Sequence, residues 1–239
     1  MTSQDVTFSV RCRDGEVLED RAWPTVSADL LCSASPWRTF RWYRGQRHYS
    51  GTYWSATTQS HVPYESRLEL ARLLFADFDA SVRGIVAQPF LLKSMVEGTV
   101  RKQVPDYFLL TAAGPVVVDV KPHQRLAQPE VTATFAWTEQ VVESRGWRYE
   151  VWSEPSTQLL ENVRFLAGFR RGWLFGPDLL DELRCADLDG VPLDEASKCV
   201  PGHPGPRVRA AILHLLWTHD LHTELAEPLR PSAVLKRSA

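Results

Sequence analysis

Cysteine is scarce, with four in 239 residues, and Cys12, Cys32, Cys185 and Cys199 form no Cys-x-x-Cys pair. A zinc site or disulfides built from two remote pairs stay open, but buried reduced thiols in a cytoplasmic protein are the expectation. No apolar run approaches the ~20 residues needed to span a bilayer, and residues 1–10 show no basic-then-apolar leader, so no membrane association is expected. There is no repeat, no low-complexity tract and no Gly-x-x-x-x-Gly-Lys-Ser/Thr loop, so any nucleotide hydrolysis would have to come from a partner. A surplus of one charge is also missing: the net charge is −2, which makes no global electrostatic case for nucleic acid.

A local patch would suffice, because counterion release depends on the phosphates contacted rather than on total charge. Acid is absent from 30 to 64, and Arg38, Arg41, Arg44, Arg47 and His48 all fall there. Trp37, Phe40, Trp42, Tyr43, Tyr49, Tyr53 and Trp54 are interleaved with them. Arg41, Arg44 and Arg47, at three-residue spacing, are the candidates for DNA phosphate contact. The competing reading is a structural layer, with aromatics at the core edge and solvated arginines beside them.

Three segments are expected from the pattern. Residues 1–60 read as short strands and turns, a strand-rich extension. Residues 61–155 carry a helix at 65–78, strands at 106–111 and 116–121 around an Ala112-Ala113-Gly114-Pro115 turn, a helix at about 131–144 and a strand at 148–152. A helix between the strands at 116–121 and 148–152 would let them pair in parallel through a right-handed crossover, giving a mixed α/β sheet. Beyond Pro155 the composition shifts, and 156–239 reads as a small, mainly helical domain. Its helices are expected at 159–170, 176–184 and 207–219, with a short helix and an extended tail over 221–235.

Chemistry concentrates in the middle segment. Strand alternation puts Val117, Asp119 and Lys121 on one face, and a turn near 113 puts Asp106 opposite the neighbourhood of Asp119. Two carboxylates that close repel unless a cation separates them. Mg²⁺ suits such a pair, taking one or two carboxylates with water and phosphate filling its octahedron. Glu69, on the preceding helix, would add a third carboxylate, and Lys121 could orient a water or stabilise developing charge. The set Glu69, Asp106, Asp119 and Lys121 points to metal-dependent phosphodiester hydrolysis, with Mn²⁺ able to replace Mg²⁺. Spacing alone leaves Glu65 as an alternative to Glu69. It also leaves Asp106 open as a turn residue, Asp119–Lys121 as a plain ion pair and Glu69 as a solvated helix residue.

Pro105-Asp106 followed by Asp119-Val120-Lys121 resembles the PD-(D/E)xK nuclease signature. Residues 64–69 (Tyr-Glu-Ser-Arg-Leu-Glu), Gln88-Pro89, Pro105-Asp106-Tyr107 and residues 119–122 (Asp-Val-Lys-Pro) resemble the catalytic domain of TnsA-type transposon endonucleases. In the best-known branch of that family a Gln stands where Asp119 stands here; Asp is the commoner choice across the wider superfamily. The resemblance covers about residues 60–155 and selects Glu69 over Glu65, leaving Glu65 as a first-turn residue favourable to the helix dipole. It implies a restriction-endonuclease-like core, αβββαβ, with Glu69, Asp106 and Asp119 around the metal and Lys121 as the catalytic lysine. It also implies double-stranded DNA as substrate, and recombinase (TnsB-like) and ATPase regulator (TnsC-like) subunits as partners. A winged-helix-type C-terminal module would place Lys236 and Arg237 near phosphate. A restriction or defence nuclease with the same core, and a non-catalytic DNA-binding assembly subunit, are the alternatives. His214, His219 and His222 are expected to be solvated or capping rather than a zinc site, and Trp217 to lie in the core of the second domain.

Overall fold

Alternation of apolar residues and tight turns build the first of two compact units, Met1–Glu154 and Pro155–Ala239, in a computed structural model that describes residues 6–38, 49–96 and 98–237. In chain order the first unit contains β1 (Val6–Cys12), β2 (Val17–Ala22), α1 (Ala28–Cys32), β3 (Ala34–Ser35), β4 (Gly51–Ser55) and β5 (Ser60–Tyr64). It continues with α2 (Arg67–Phe78), β6 (Val82–Ala87), β7 (Leu91–Val96), β8 (Thr99–Gln103), β9 (Tyr107–Thr111) and β10 (Gly114–Val120). It closes with α3 (His123–Leu126), α4 (Pro129–Glu143) and β11 (Arg148–Trp152). The fold is mixed α/β, and no helix among the described residues is long and apolar enough to cross a membrane.

One sheet has the order β11-β10-β9-β6, with β10 and β11 parallel and the remaining pairs antiparallel. The expected crossover is therefore present, with α3 and α4 between the parallel strands. The hairpin turn is tighter than the sequence suggested. Thr111 pairs with Gly114 across two loop residues, and the Thr111 hydroxyl donates to the Gly114 carbonyl (2.7 Å) while accepting from the Ala113 N–H (3.2 Å). Gly114 has φ +116°, a conformation in which a side chain is strained, so glycine fits this corner.

The second sheet runs β2-β1-β7-β8 with β3 on β1, and β4 and β5 form a separate hairpin. Pairing of β1 with β7, from Val6↔Ser94 to Ser9↔Leu91, ties the N-terminal strands into the same unit. The expected division at 60/61 thus separates no compact units, whereas the break at Glu154/Pro155 does. Phe8, Val10, Trp23, Phe90 and Leu92 pack against Phe108 and Val117 of the first sheet and Trp137 and Val142 of α4. Trp23 is fully buried, and its indole N–H donates to the Val141 carbonyl at 2.7 Å. Truncating it to alanine would cost about 3–5 kcal/mol.

Helix α2 begins where chemistry dictates: the Ser66 hydroxyl accepts from the Glu69 N–H at 3.1 Å, capping the first turn. Glu65 consequently stands ahead of the cap and not in the first turn, correcting the expectation.

The second unit contains α5 (Thr157–Leu166), α6 (Pro177–Cys185), α7 (Leu193–Ala196), α8 (Gly205–Trp217), β12 (Leu221–His222) and β13 (Lys236–Arg237). No helix forms over 221–235. Asn162 of α5 holds this stretch instead, donating to the carbonyls of Leu225 (2.8 Å) and Glu227 (2.7 Å). Leu221 and Leu235 reach the core as ends of an irregular segment. Trp217 is buried, as expected, and so is His214, which was not. The His214 ring stacks on Phe175 at 4.7 Å, and its Nδ1 lies 2.7 Å from the Phe169 carbonyl oxygen. The four cysteines are free thiols; Cys12 and Cys32 are half-buried and Cys185 and Cys199 exposed, so none is the buried thiol expected.

Candidate active site

Strand β10 is central in its sheet, and its Val116-Val117-Val118-Asp119-Val120 run is buried throughout. Asp119 is only 2% exposed. A charge in such a strand needs partners. Two were not anticipated: the Tyr149 hydroxyl donates to Oδ2 at 2.5 Å, and the Gln103 side-chain amide donates to Oδ1 at 2.7 Å. Burial pushes the Asp119 carboxyl up to about 6, while those hydrogen bonds and the charges of Lys121 and Arg38 pull it down.

The last regular pair of the hairpin is Tyr107↔Val118, leaving Asp106 and Asp119 one step beyond it on their respective strands. The Asp106 N–H donates to the Val118 carbonyl (3.0 Å), and Asp106 Oδ2 accepts from the Val120 N–H (2.7 Å). On its other side Gln88, buried and at φ +47°, donates its N–H to the Asp106 carbonyl (2.9 Å). Burial and then the neighbouring Asp119 push the Asp106 carboxyl up to about 7.

Glu69, three residues past the cap, turns its Oε2 back to accept from the Glu65 N–H at 2.7 Å. Its carboxyl is likewise pushed up to about 7, by burial first and by Asp106 second. Asp106 and Glu69 keep partial solvent access, whereas Asp119 does not. Lys121 is half-buried just past β10, its N–H donating to the Trp152 carbonyl (2.9 Å) and its Nζ 5.9 Å from the centre of the Phe135 ring. Its charge lowers both aspartates, yet it enters none of the ion pairs among the described residues.

Glu69, Asp106, Asp119 and Lys121 thus share one electrostatic neighbourhood, where three carboxyl groups resist ionisation together. Among the described residues no group of three or more His, Cys, Asp or Glu side chains is arranged to hold a metal ion. Both oxygens of Asp119 and one of Glu69 are engaged in hydrogen bonds. Asp106 and Glu69 present the carboxyl oxygens with solvent access, the Glu69 carboxyl being engaged by the Ser66 side chain as well as by the Glu65 N–H. These are hard oxygen donors of the kind Mg²⁺ takes, and two carboxylates suffice for that ion.

The other expected contacts fare differently. Arg41, Arg44 and Arg47 lie outside the described residues. Arg38 is described, and pairs with Glu65 at 3.4 Å. Lys236 is exposed on β13, but Arg237 is turned inward: its guanidinium donates to the Leu183 and Ala186 carbonyls, closing the end of α6. Its N–H donates to Asp189 at 2.9 Å.

Tyr149 and Gln103 were missed by sequence reasoning. A signal existed for the first, because pairing 116–120 with 148–152 in parallel sets Tyr149 beside Val117. Gln103 had none, since β8 belongs to the other sheet and its approach to Asp119 is tertiary. No protein-family model matches the chain, and no curated protein matches it either.

Proposed function

We propose that the protein is a metal-dependent DNA endonuclease acting at the Glu69, Asp106, Asp119 and Lys121 cluster. The observation that carries this reading is the gathering beside one lysine of three carboxyl groups, Asp119 buried and Glu69 and Asp106 partly so, each pushed above its ordinary range. Structural carboxylates are normally satisfied, whereas perturbed groups gathered at one place are what catalytic sites require. Asp106 and Glu69, which keep solvent access, would hold Mg²⁺ or Mn²⁺, with Asp119 the third carboxylate behind them. Such an ion, when bound, supplies an activated water and neutralises charge on the phosphoryl group. Lys121 lends a fixed positive charge next to the reacting phosphate, and the Val120 N–H keeps Asp106 aimed into the cluster.

The helix, hairpin and parallel crossover, together with the ordered motifs, support a restriction-endonuclease-like core and a role like that of a TnsA subunit, cutting at transposon 5′ ends alongside TnsB-like and TnsC-like partners. A second reading draws on the hydrogen bonds that occupy Asp119 and Glu69: a DNA-binding assembly subunit whose carboxylates are structural.

Cleavage of plasmid DNA with Mn²⁺, with candidate partners present, separates the two. Asp106→Ala and Lys121→Ala are expected to lower cleavage by about 10²–10⁴-fold. DNA binding by Lys121→Ala should stay near wild type. No cleavage by the wild type in any assembly, together with an inert Asp119→Ala, would establish the second reading instead.

A further inference from the structure

Beside Glu69 the surface carries an ordered aromatic stack. Tyr49 is 56% exposed and stacks on Tyr64, ring centres 6.4 Å apart and planes 25° from parallel. The Arg67 guanidinium carbon lies 4.9 Å from the centre of the Tyr49 ring. Arg67 is exposed, is the first residue of α2 and lies two positions before Glu69. The stack is seated on backbone: a Cβ at Gly51 would stand 2.3 Å from the Tyr64 hydroxyl, so only glycine lets that ring lie there. Arg38 pairs with Glu65, the residue after Tyr64, and its charge is felt by Asp119.

A tyrosine ring that is 56% exposed, flanked by a second ring and by a cation on an exposed helix start, offers what a nucleic-acid strand uses: an aromatic packing surface and a phosphate contact. The positive charge of Arg67 and Arg38 complements a phosphodiester chain, and the rim of a carboxylate cluster needs such charge to draw that chain in.

We infer that Tyr49, Tyr64 and Arg67 form a ledge that holds a DNA strand next to the carboxyl cluster. Arg67 contacts a backbone phosphate and the exposed part of the Tyr49 ring packs against a base or sugar. The identity of the strand as DNA rests on the nuclease reading; the ledge itself rests on the ring geometry.

Binding of the full-length protein to a labelled duplex with a frayed end, in Ca²⁺ across a salt series, tests this without any need for turnover. Arg67→Ala should weaken binding about tenfold and reduce the slope of log affinity against log salt by about 0.9, the signature of one lost phosphate contact. Tyr49→Ala should weaken it by a similar factor with the slope unchanged, because stacking releases no counterions. Arg67→Lys and Tyr49→Phe should recover most of the affinity, and melting temperatures should stay at the wild-type value. Wild-type affinity in both alanine variants, a loss in Arg67→Ala without a change of slope, or no DNA binding by the wild type would each overturn the ledge. Weaker binding by the alanine variants in a protein that never cleaves would uphold the ledge and remove the nuclease; cleavage with unaltered binding would do the reverse.

Discussion

Helix α2 carries a carboxylate near each end, and the two are treated in opposite ways. Asp77, 6% exposed, accepts from the Tyr53 hydroxyl (2.7 Å), the Ser55 hydroxyl (2.6 Å), and the N–H groups of Ala56 (3.0 Å) and Thr57 (2.8 Å). Four donors from the β4–β5 hairpin converge on one charge, and the hairpin is clasped to the helix. Glu69 accepts from the Glu65 N–H and faces Asp106, and its carboxyl is pushed up to about 7. Twelve residues of helix thus present one acid whose charge is satisfied and another whose charge is opposed. The lesson is that burial alone does not mark a functional carboxylate; what separates Glu69 from Asp77 is fewer donors and a neighbouring acid.

The largest expected departure comes from breaking the satisfied acid. Asp77→Ala leaves four donors without their acceptor and should cost about 3–5 kcal/mol. That corresponds to a fall of about 10 °C in melting temperature. DNA cleavage per mole of folded protein should be unchanged. Asp106→Asn is the mirror image, with stability equal or raised and cleavage lost; calorimetry and a cleavage assay on the same preparations read both. If Asp77→Ala abolished cleavage without lowering stability, the contrast between the two acids would collapse.

A smaller effect follows from pH. Glu69 and Asp106 have folded-state values near 7, above their ordinary 4.5 and 3.8. Between about pH 4 and 7 the folded state therefore binds more protons than the unfolded state, so stability is fully present at the acid end and lost as pH rises through 7. In EDTA the melting temperature should drop by several degrees from pH 5 to pH 8, and Asp106→Asn should flatten that slope. Adding Mg²⁺ at pH 8 should recover the loss if the cluster takes the ion. A slope unaffected by Asp106→Asn would place the titration elsewhere.

The smallest effect concerns the cap on Asp119. Tyr149→Phe removes one hydrogen bond to a buried charge and should cost about 1–3 kcal/mol. The measurement is a denaturant midpoint, and an unchanged value would show that Gln103 satisfies Asp119 alone.

Much of this arrangement was legible because it is local. Valine alternation and the Ala112-Ala113 turn revealed the hairpin, the apolar spacing over 65–78 revealed α2 though not its cap, and an amphipathic stretch between two short strands revealed the parallel crossover. What stayed hidden depends on distant contacts. Nothing in residues 6–12 announces pairing with 91–96, and nothing in Gln103 announces Asp119. Leucines at 221, 225, 229 and 235 suggested a helix, but Asn162 and two prolines, Pro228 and Pro231, hold the segment in turns. His214 was expected to be solvated or capping and is buried, with Phe175 stacked on its ring.

Parallel pairing of β10 with β11 carries a consequence for the order of events during synthesis. The carboxyl of Asp119 acquires its Tyr149 donor, and β10 its second neighbour, only after the chain has been made through Trp152. A nascent or prematurely terminated polypeptide ending before residue 148 would hold Glu69, Asp106 and Asp119 without the strand that fixes β10 in the middle of its sheet. The last strand of the unit thus completes the surroundings of Asp119, and ribosome-release of fragments ending at 145 and at 154 would expose that timing as a difference in protease resistance.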